Sequence, residues 1–549
     1  MLMEQARGSR RLQAPQVDGQ TLIEPSLVSL PEVVARNRQQ LSQAKYDVQG
    51  RSLGELSAAA RHTLVDRAIS YTSQYREVSQ RVRDIASLPD VPLLFSGHQP
   101  QLFHPGVWFK NFVLGALAKQ MDAVGIHVLI DSDLCRSVSS RVPTGSVEEP
   151  RVEAVPYDEP AAEVPYEERI IRSDATFESF AKRVTPLIRP LVREPLIESL
   201  WPLTLDRNPR QTNLGLRLAQ GRHALEATWQ NETLELPQSA VCQLPEFAWF
   251  TAHVLAHLPR FWVAHNEALA VYRHSQRTRN RAHPVPDLAE SQGWLESPFW
   301  IWSSEDPQRR PLFARQSGDD LVITDRHSLT IHLALAADRD AATAADQLME
   351  LASRGIKIRT RALTTTLFAR LVLSDLFLHG IGGAKYDQVT DLIAESFFGF
   401  PLPEFAAVSA TLRLPIAYDH REPFRDHSCQ QQLRELRYHP ERFIESNRTA
   451  AQNVLSDPGQ IINTKYRWVH AIRTTHNARE RHLAIEAANK ALQPFVVDAR
   501  RRLERDCKET QHRKRIDAIL QSRDYSFCLY PQAHFESRLL KDLRPLLKL

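Results

Sequence analysis

Apolar and polar positions along this chain switch repeatedly between a strand-like run and a helical period, the pattern of an α/β fold. Val91–Phe95 (VPLLF) is a short apolar run of the kind buried in a parallel sheet. The polar, glycine-containing stretch from Ser96 follows, and then Val107, Trp108, Val113, Leu114, Leu117 and Ala118 recur at helical spacing as far as Lys119. A second strand, Ile126–Ile130, ends in Asp131-Ser132-Asp133. The pattern predicts an irregular arm over 1–30 and helices from Pro31 to Ala86, with Ser52-x-x-Glu55 as a capping box. Residues 140–166, rich in proline and acid, read as a surface connection. Helices at Phe177–Val192 and Phe247–His274 and strands at Phe299–Trp302, Leu312–Ala314 and Leu321–Thr324 read as an insertion. The predicted domains are therefore an arm and helices (1–90), the first half of the core (91–174), an inserted α+β region (175–355), the second half (356–422) and a helical region (423–549).

The corner Gly97-His98-Gln99-Pro100 thus falls at the carboxyl end of a strand and near the amino end of a helix. Open α/β sheets bind ligands there. His98 and Gln99 would orient a carboxylate, a phosphate or a sugar hydroxyl; the alternative is a buried turn that satisfies its own backbone. His104, followed by proline, reads as a helix cap. Asp131 and Asp133 share a face if their strand continues through them, or one of them caps the next helix. Gly380-x-Gly382-Gly383 precedes a helix expected from near Asp387, and suits an anion at a helix N-terminus, with Lys385 adding charge. Its spacing is neither a dinucleotide fingerprint nor a P-loop. His253 and His257 are four apart, but Val254 stands where a zinc protease carries Glu, and no metal site is assigned. The cations and aromatics of Tyr272-Arg273, Arg279, Arg281, His283 and Trp294–Trp300 form either a cover for the cleft or an aromatic core patch.

Three segments, in order, resemble one family. Ser96-Gly97-His98-Gln99 with Leu102-Phe103 resembles the T-G-Q-Q-x-G-L-F signature of the bacillithiol-biosynthesis cysteine-adding enzymes, and Asp131 and Asp133 match the acidic end of that family's next strand. Arg370, Asp375 and the Gly382-Gly383 turn within 361–415 resemble its second α/β half, and Phe527–Pro531 with Glu536–Leu540 resembles its tail. The chain departs from the family at His98, where it has glutamine, and in a shorter acidic cluster without its histidine. The resemblance implies a Rossmann-like parallel sheet split by an insertion, N-terminal helices, and a C-terminal coiled-coil arm that makes a homodimer. It implies a carbon–nitrogen ligase that joins an amine and a carboxylate in an amide, with an amino acid and a carboxylate-bearing sugar as substrates. His98, Gln99, Asp131 and Asp133 would do the chemistry. Gly97, Arg370, Asp375, Gly382, Gly383 and Lys385 would bind substrate. Carboxyl activation ordinarily takes a nucleotide; no recognised nucleotide motif occurs, so the cofactor stays open. Two alternatives remain: the run from Gly97 to Phe112 is also similar to the opening of the WbqC-like proteins, implying a sugar-nucleotide, acyl or amino transferase, and a non-catalytic coiled-coil dimer could keep the pocket as a sensor.

Composition narrows the setting. No apolar run approaches the roughly 18 residues of a membrane span, and the start MLMEQARGSRRLQ has no apolar stretch of a signal peptide. Five scattered cysteines without a C-x-x-C pair suggest a reducing cytoplasm and no structural zinc. From Pro423 onward 24 Lys and Arg face 15 Asp and Glu, an excess of nine, so a nucleic-acid partner has to be weighed. Interleaved acids and the lack of an aromatic platform favour solvated helices instead. Leu492, Val496, Ala499 and Leu503 have the spacing of a short coiled-coil seam, interrupted by Pro494. A helix across Tyr466–Ile485 would be its intramolecular competitor.

Overall fold

The expected apolar runs pair into one sheet because each can hide both faces. The computed structural model describes residues 12–206, 211–280, 282–418, 426–444 and 457–547; Arg281 and the first eleven residues lie outside this set. Six strands form the central sheet: β1 (Thr21–Glu24), β2 (Leu93–His98), β3 (Val124–Leu129), β4 (Leu234–Pro237), β5 (Leu376–His379) and β6 (Ala406–Ala410). Their spatial order is β1-β6-β5-β2-β3-β4. The five inner and right-hand strands run parallel, while β1 pairs antiparallel with β6 at the edge. The fold is mixed α/β, and the sheet is mixed rather than purely parallel.

The helices α1 (Leu30–Gln43) and α2 (Leu53–Ser73) and a short helix Gln80–Ala86 precede β2, and the Ser52–Glu55 capping box opens α2 as expected. Leu53, Leu56, Ala60, Leu64 and Ala68 of α2 pack with Leu93, Phe95, Ile126, Val128 and Leu236 from one sheet face in the main hydrophobic core. Between β2 and β3 lies α3 (Pro105–Gln120), buried from Pro105 to Ala118. Next come α4 (Leu214–Ala227), before β4, and α5 (Ile381–Phe398), between β5 and β6. A second, antiparallel sheet contains Trp294–Ser303, Arg310–Ser317, Asp320–Thr324, Thr330–Leu333 and Ile356–Thr360, so the three strands expected in this region are present and longer.

Several expectations are corrected. The N-terminal arm is not wholly irregular, because Thr21–Glu24 closes the edge of β6. The stretch 140–166 contains paired strands at Ser139–Gly145 and Pro150–Pro156. The long helix Phe247–His274 is two helices, Pro245–Ala256 and Leu258–Ser275, since Pro259 cannot donate to the ladder and starts a new helix. Residues 175–355 are not a separate insertion, because β4 adds to the central sheet from within them. The chain divides into one unit of 1–144, 152–415 and 523–549 and another of 145–151 and 416–522. Residues 523–547 join the first unit because Phe527, Cys528, Leu529 and Phe535 are fully buried and Phe527 and Phe535 stack on Trp108 of α3, with ring centroids 4.4 Å away.

The second unit is helical: α6 (Asp426–Tyr438), α7 (Pro458–His470), α8 (Ala478–Leu492) and α9 (Val497–Leu520). Helix α6 packs on α9, and α7 on α8. The expected seam does not lie on one continuous helix. Pro494 sits in a tight turn at Gln493–Val496 that separates α8 from α9, and the competitor helix is likewise broken between α7 and α8. Leu492 and Val496 are already buried within the chain, so they offer no open stripe to a second copy. The cysteine reading also changes, because Cys429 of α6 and Cys507 of α9 form a disulfide with Cα atoms 5.7 Å apart. Among the described residues no helix is long and apolar enough to cross a membrane.

Candidate active site

Strand order reverses between β2 and β5. From β2 the chain passes through α3 to β3 on one side; from β5 it passes through α5 to β6 on the other. Because β2 and β5 are adjacent and parallel, with Leu378 beside Ser96, the first turn and the glycine turn leave the sheet at the same edge. Such a reversal splays the two connections apart and opens a crevice outside the carboxyl ends.

The first turn contributes Gly97, His98 and Gln99. Gly97 pairs with Val128 of β3, and a Cβ on it would sit 3.2 Å from the Val128 carbonyl oxygen. The His98 ring packs edge-on to Phe103, centroids 4.9 Å apart, and burial together with the nearby Lys110 pulls it down to about 3, so it is neutral. Gln99 Nε2 donates to Asp133 Oδ2 at 2.9 Å, which ties the β2 turn to the β3 turn. Asp133 also accepts from Arg309 at 3.2 Å and from the Leu134 N–H at 2.9 Å. Asp131 is buried and faces β4, accepting from the Ser239 N–H at 2.9 Å and from the Ser239 hydroxyl. Burial, and then the neighbouring Glu167, raises its carboxyl to about 7. His104 caps α3 by accepting from the Gly106 N–H at 3.1 Å, the expected capping role.

At the second turn the helix begins at Ile381 rather than near Asp387, so Gly382 and Gly383 lie in its first turn. Nothing lies within 4 Å of where a Cβ would sit on Gly380 or Gly382, and on Gly383 it would meet His379 Nδ1 at 2.8 Å. Lys385 is exposed on the next turn. Arg370 is a correction: its fully buried guanidinium is spent on Asp387 at 2.6 Å, Asp391 at 2.7 Å and the Pro403 carbonyl, leaving nothing for a substrate. Asp387 in turn receives His379 Nε2 at 2.8 Å, and although burial opposes its charge, Arg370 and His379 outweigh burial and hold the carboxyl low. Asp375 is the second correction. It sits at the amino edge, accepting from the Leu93 N–H at 2.8 Å, Arg61 at 2.9 Å and Arg38 at 3.1 Å, and clamps the start of β2 to β5.

Sequence reasoning missed a row of polar groups beneath the crevice. Ser96, His127 and Glu235 are in register across β2, β3 and β4, all buried on the face away from the main core. Ser96 Oγ lies 2.7 Å from His127 Nδ1, and His127 Nε2 has no hydrogen-bond partner among the described residues. Over this row α4 lays Arg222, which pairs with Glu235 and, at 2.6 Å, with Glu226; Glu226 also accepts from Trp108 and Asn111 at 2.8 Å each. From α3 comes Lys110, 1% exposed, whose Nζ donates to the Gly97 carbonyl at 2.6 Å. Among the described residues no ion pair to a carboxylate compensates it, and burial, with Arg222 nearby, lowers its ammonium to about 7. A signal was present: Lys110 is the only charged residue from Val107 to Ala118.

The second sheet reaches this edge too. Arg309 donates to the Ser132 carbonyl at 2.9 Å, and Trp300 has the Arg309 and Arg361 guanidiniums at 4.4 and 4.1 Å from its ring centre. A β-bulge between Glu296 and Trp300 turns the strand there. Trp300 thus lies at this edge, whereas Tyr272 and Phe299 of the same cluster belong to the main hydrophobic core. His253 is instead structural, its ring nitrogens facing the Tyr46 hydroxyl at 3.0 Å and Gln49 Oε1 at 3.2 Å. Neither a known family model nor a curated protein matches this chain.

Proposed function

We propose that the chain is an enzyme of small-molecule metabolism that forms an amide on a carboxylate-bearing sugar, in the manner of the cysteine-adding enzymes it resembles, with its site in the crevice between β2 and β5. The observation that carries this reading is the convergence of the Gly97–Gln99 corner and the open Gly380–Gly382 helix start at the point where strand order reverses. Amide formation needs a base for the attacking ammonium and donors for the negative charge that builds on the carboxylate. Asp131, whose carboxyl burial raises to about 7, exchanges a proton near neutral pH, His98 stays uncharged there, and Gln99 and the free N–H groups of α5 are donors. The Gln99–Asp133–Arg309 chain fixes the side-chain amide in place.

The test is mass spectrometry of the purified protein with cysteine and a malate-bearing sugar, with and without ATP, alongside a thiol profile of a deletion strain. A coupled product and a lost thiol support the reading; an unchanged profile with no product removes it. A sugar nucleotide co-purifying with the protein would favour the transferase alternative. Light scattering tests the homodimer that the resemblance implies.

A further inference from the structure

We propose that Lys110 is the anion-binding residue of this crevice, its ammonium receiving a carboxylate or phosphate group of the ligand with His127 Nε2 as a second buried donor. The inference deepens the reading above and rests on it only for the location of the ligand. A lysine this buried ordinarily pairs with a carboxylate, because transferring an ammonium out of water without a counter-ion is costly. Here the two carboxylates of the same patch are already engaged by Arg222, and among the described residues the acceptor for Nζ is the Gly97 backbone alone, at 2.6 Å. One ammonium donor is used and two are left over.

The second observation is independent. In the tautomer in which the Ser96 hydroxyl donates to His127 Nδ1, the imidazole proton sits on Nε2, a buried N–H with no partner among the described residues. The groups around Lys110 are Arg222 from α4, the uncharged imidazoles of His98 from β2, His127 from β3 and His379 from β5, and the carboxylates Glu226 and Glu235, which Arg222 holds, and Asp387, which Arg370 holds. The lowered Lys110 means that an arriving anion would restore its proton, so binding and proton uptake are coupled.

Titration calorimetry on the full chain at pH 7.5 tests this with two probes, malonate and inorganic phosphate, each in two buffers of different ionisation enthalpy. The expected result is that one probe binds and takes up roughly half to three-quarters of a proton. Malonate binding alone would mark a carboxylate ligand, and phosphate binding alone a phosphorylated one. Lys110→Met should weaken binding at least tenfold and abolish the uptake, whereas Lys110→Arg should retain binding without uptake. Failure of both probes to bind at millimolar concentration, binding without proton uptake, or unchanged affinity in a Lys110→Met protein with native circular dichroism would overturn the assignment. Proton-coupled binding with no amide product would leave Lys110 standing and remove the amide-forming reading. Amide product made by Lys110→Met at the wild-type rate would do the reverse.

Discussion

Replacing Lys110 with methionine should make the protein more stable near neutral pH, and the gain should shrink as pH rises. The ammonium is held at about 7 in the folded chain by burial, against an unfolded value of 10.5. A lysine so lowered is protonated in both states below pH 7, where its burial carries the full cost. Between 7 and 10.5 the unfolded chain binds the extra proton, so stability rises with pH through that window. From pH 7 to 9 the wild type should therefore gain about 2 kcal/mol from this one group, the first half-proton having been lost already at pH 7. Methionine fills most of the same volume and has no charge to desolvate, so the variant loses this slope and gains a few kcal/mol at pH 7 on an order-of-magnitude basis. Urea unfolding of both proteins at pH 7, 8 and 9 supplies the difference directly, and the thiols and tyrosines that also titrate in alkali cancel in it. A Lys110→Met protein that is less stable than wild type at pH 7, with a parallel pH dependence, would show that Lys110 is compensated and would refute the reasoning.

Other outcomes follow from the same contacts. Gln99→Ala should lower turnover while changing unfolding free energy by less than about 1 kcal/mol, since it removes one part-buried bond to Asp133. Asp131→Asn should flatten the loss of stability expected as pH rises from about 4 to 7, because the raised Asp131 holds its proton in the folded chain longer than in the unfolded one; urea titrations at pH 5 and 7 check it. Asp375→Ala should cost about 3–5 kcal/mol, because it strands part-buried Arg61 and the Leu93 N–H at the far edge and leaves Arg38 only Asp90, yet leave ligand affinity in the surviving folded protein unchanged. Cys429→Ser should lower the stability of the helical unit by about 2–4 kcal/mol, and reduction should do the same to wild type; an identical thermal profile with and without reductant would contradict this.

How far the fold could be read from sequence differed between its parts. The runs at 91–95 and 126–130 announced themselves because strands buried on both faces are almost wholly apolar, and the Ser52–Glu55 box because a capping residue must lie where helical backbone N–H groups are unpaired. The positions of the two turns were legible for the same reason, since Gly97–Gln99 and Gly380–Gly383 interrupt such runs at strand ends. The role of Arg370 and Asp375 was not, because a buried charge looks the same in sequence whether it meets a ligand or an ion-pair partner dozens or hundreds of residues away, as Asp375 meets Arg61. β4 was missed because LELP is four residues long with glutamate in the middle, and only its register against His127 explains that glutamate. The seam at Leu492–Leu503 failed for a local reason, the break at Pro494, and a tertiary one, the in-chain burial of Leu492 and Val496.

The central claim is that the crevice between β2 and β5 holds the ligand, and a crystal structure of the protein soaked with the anion that calorimetry selects tests it most directly. The account predicts that anion between the Gly97–Gln99 corner and the Gly380–Gly383 helix start, with an oxygen within hydrogen-bond distance of Lys110 Nζ. An ordered anion bound elsewhere, with Lys110 still turned only to the Gly97 carbonyl, would contradict it.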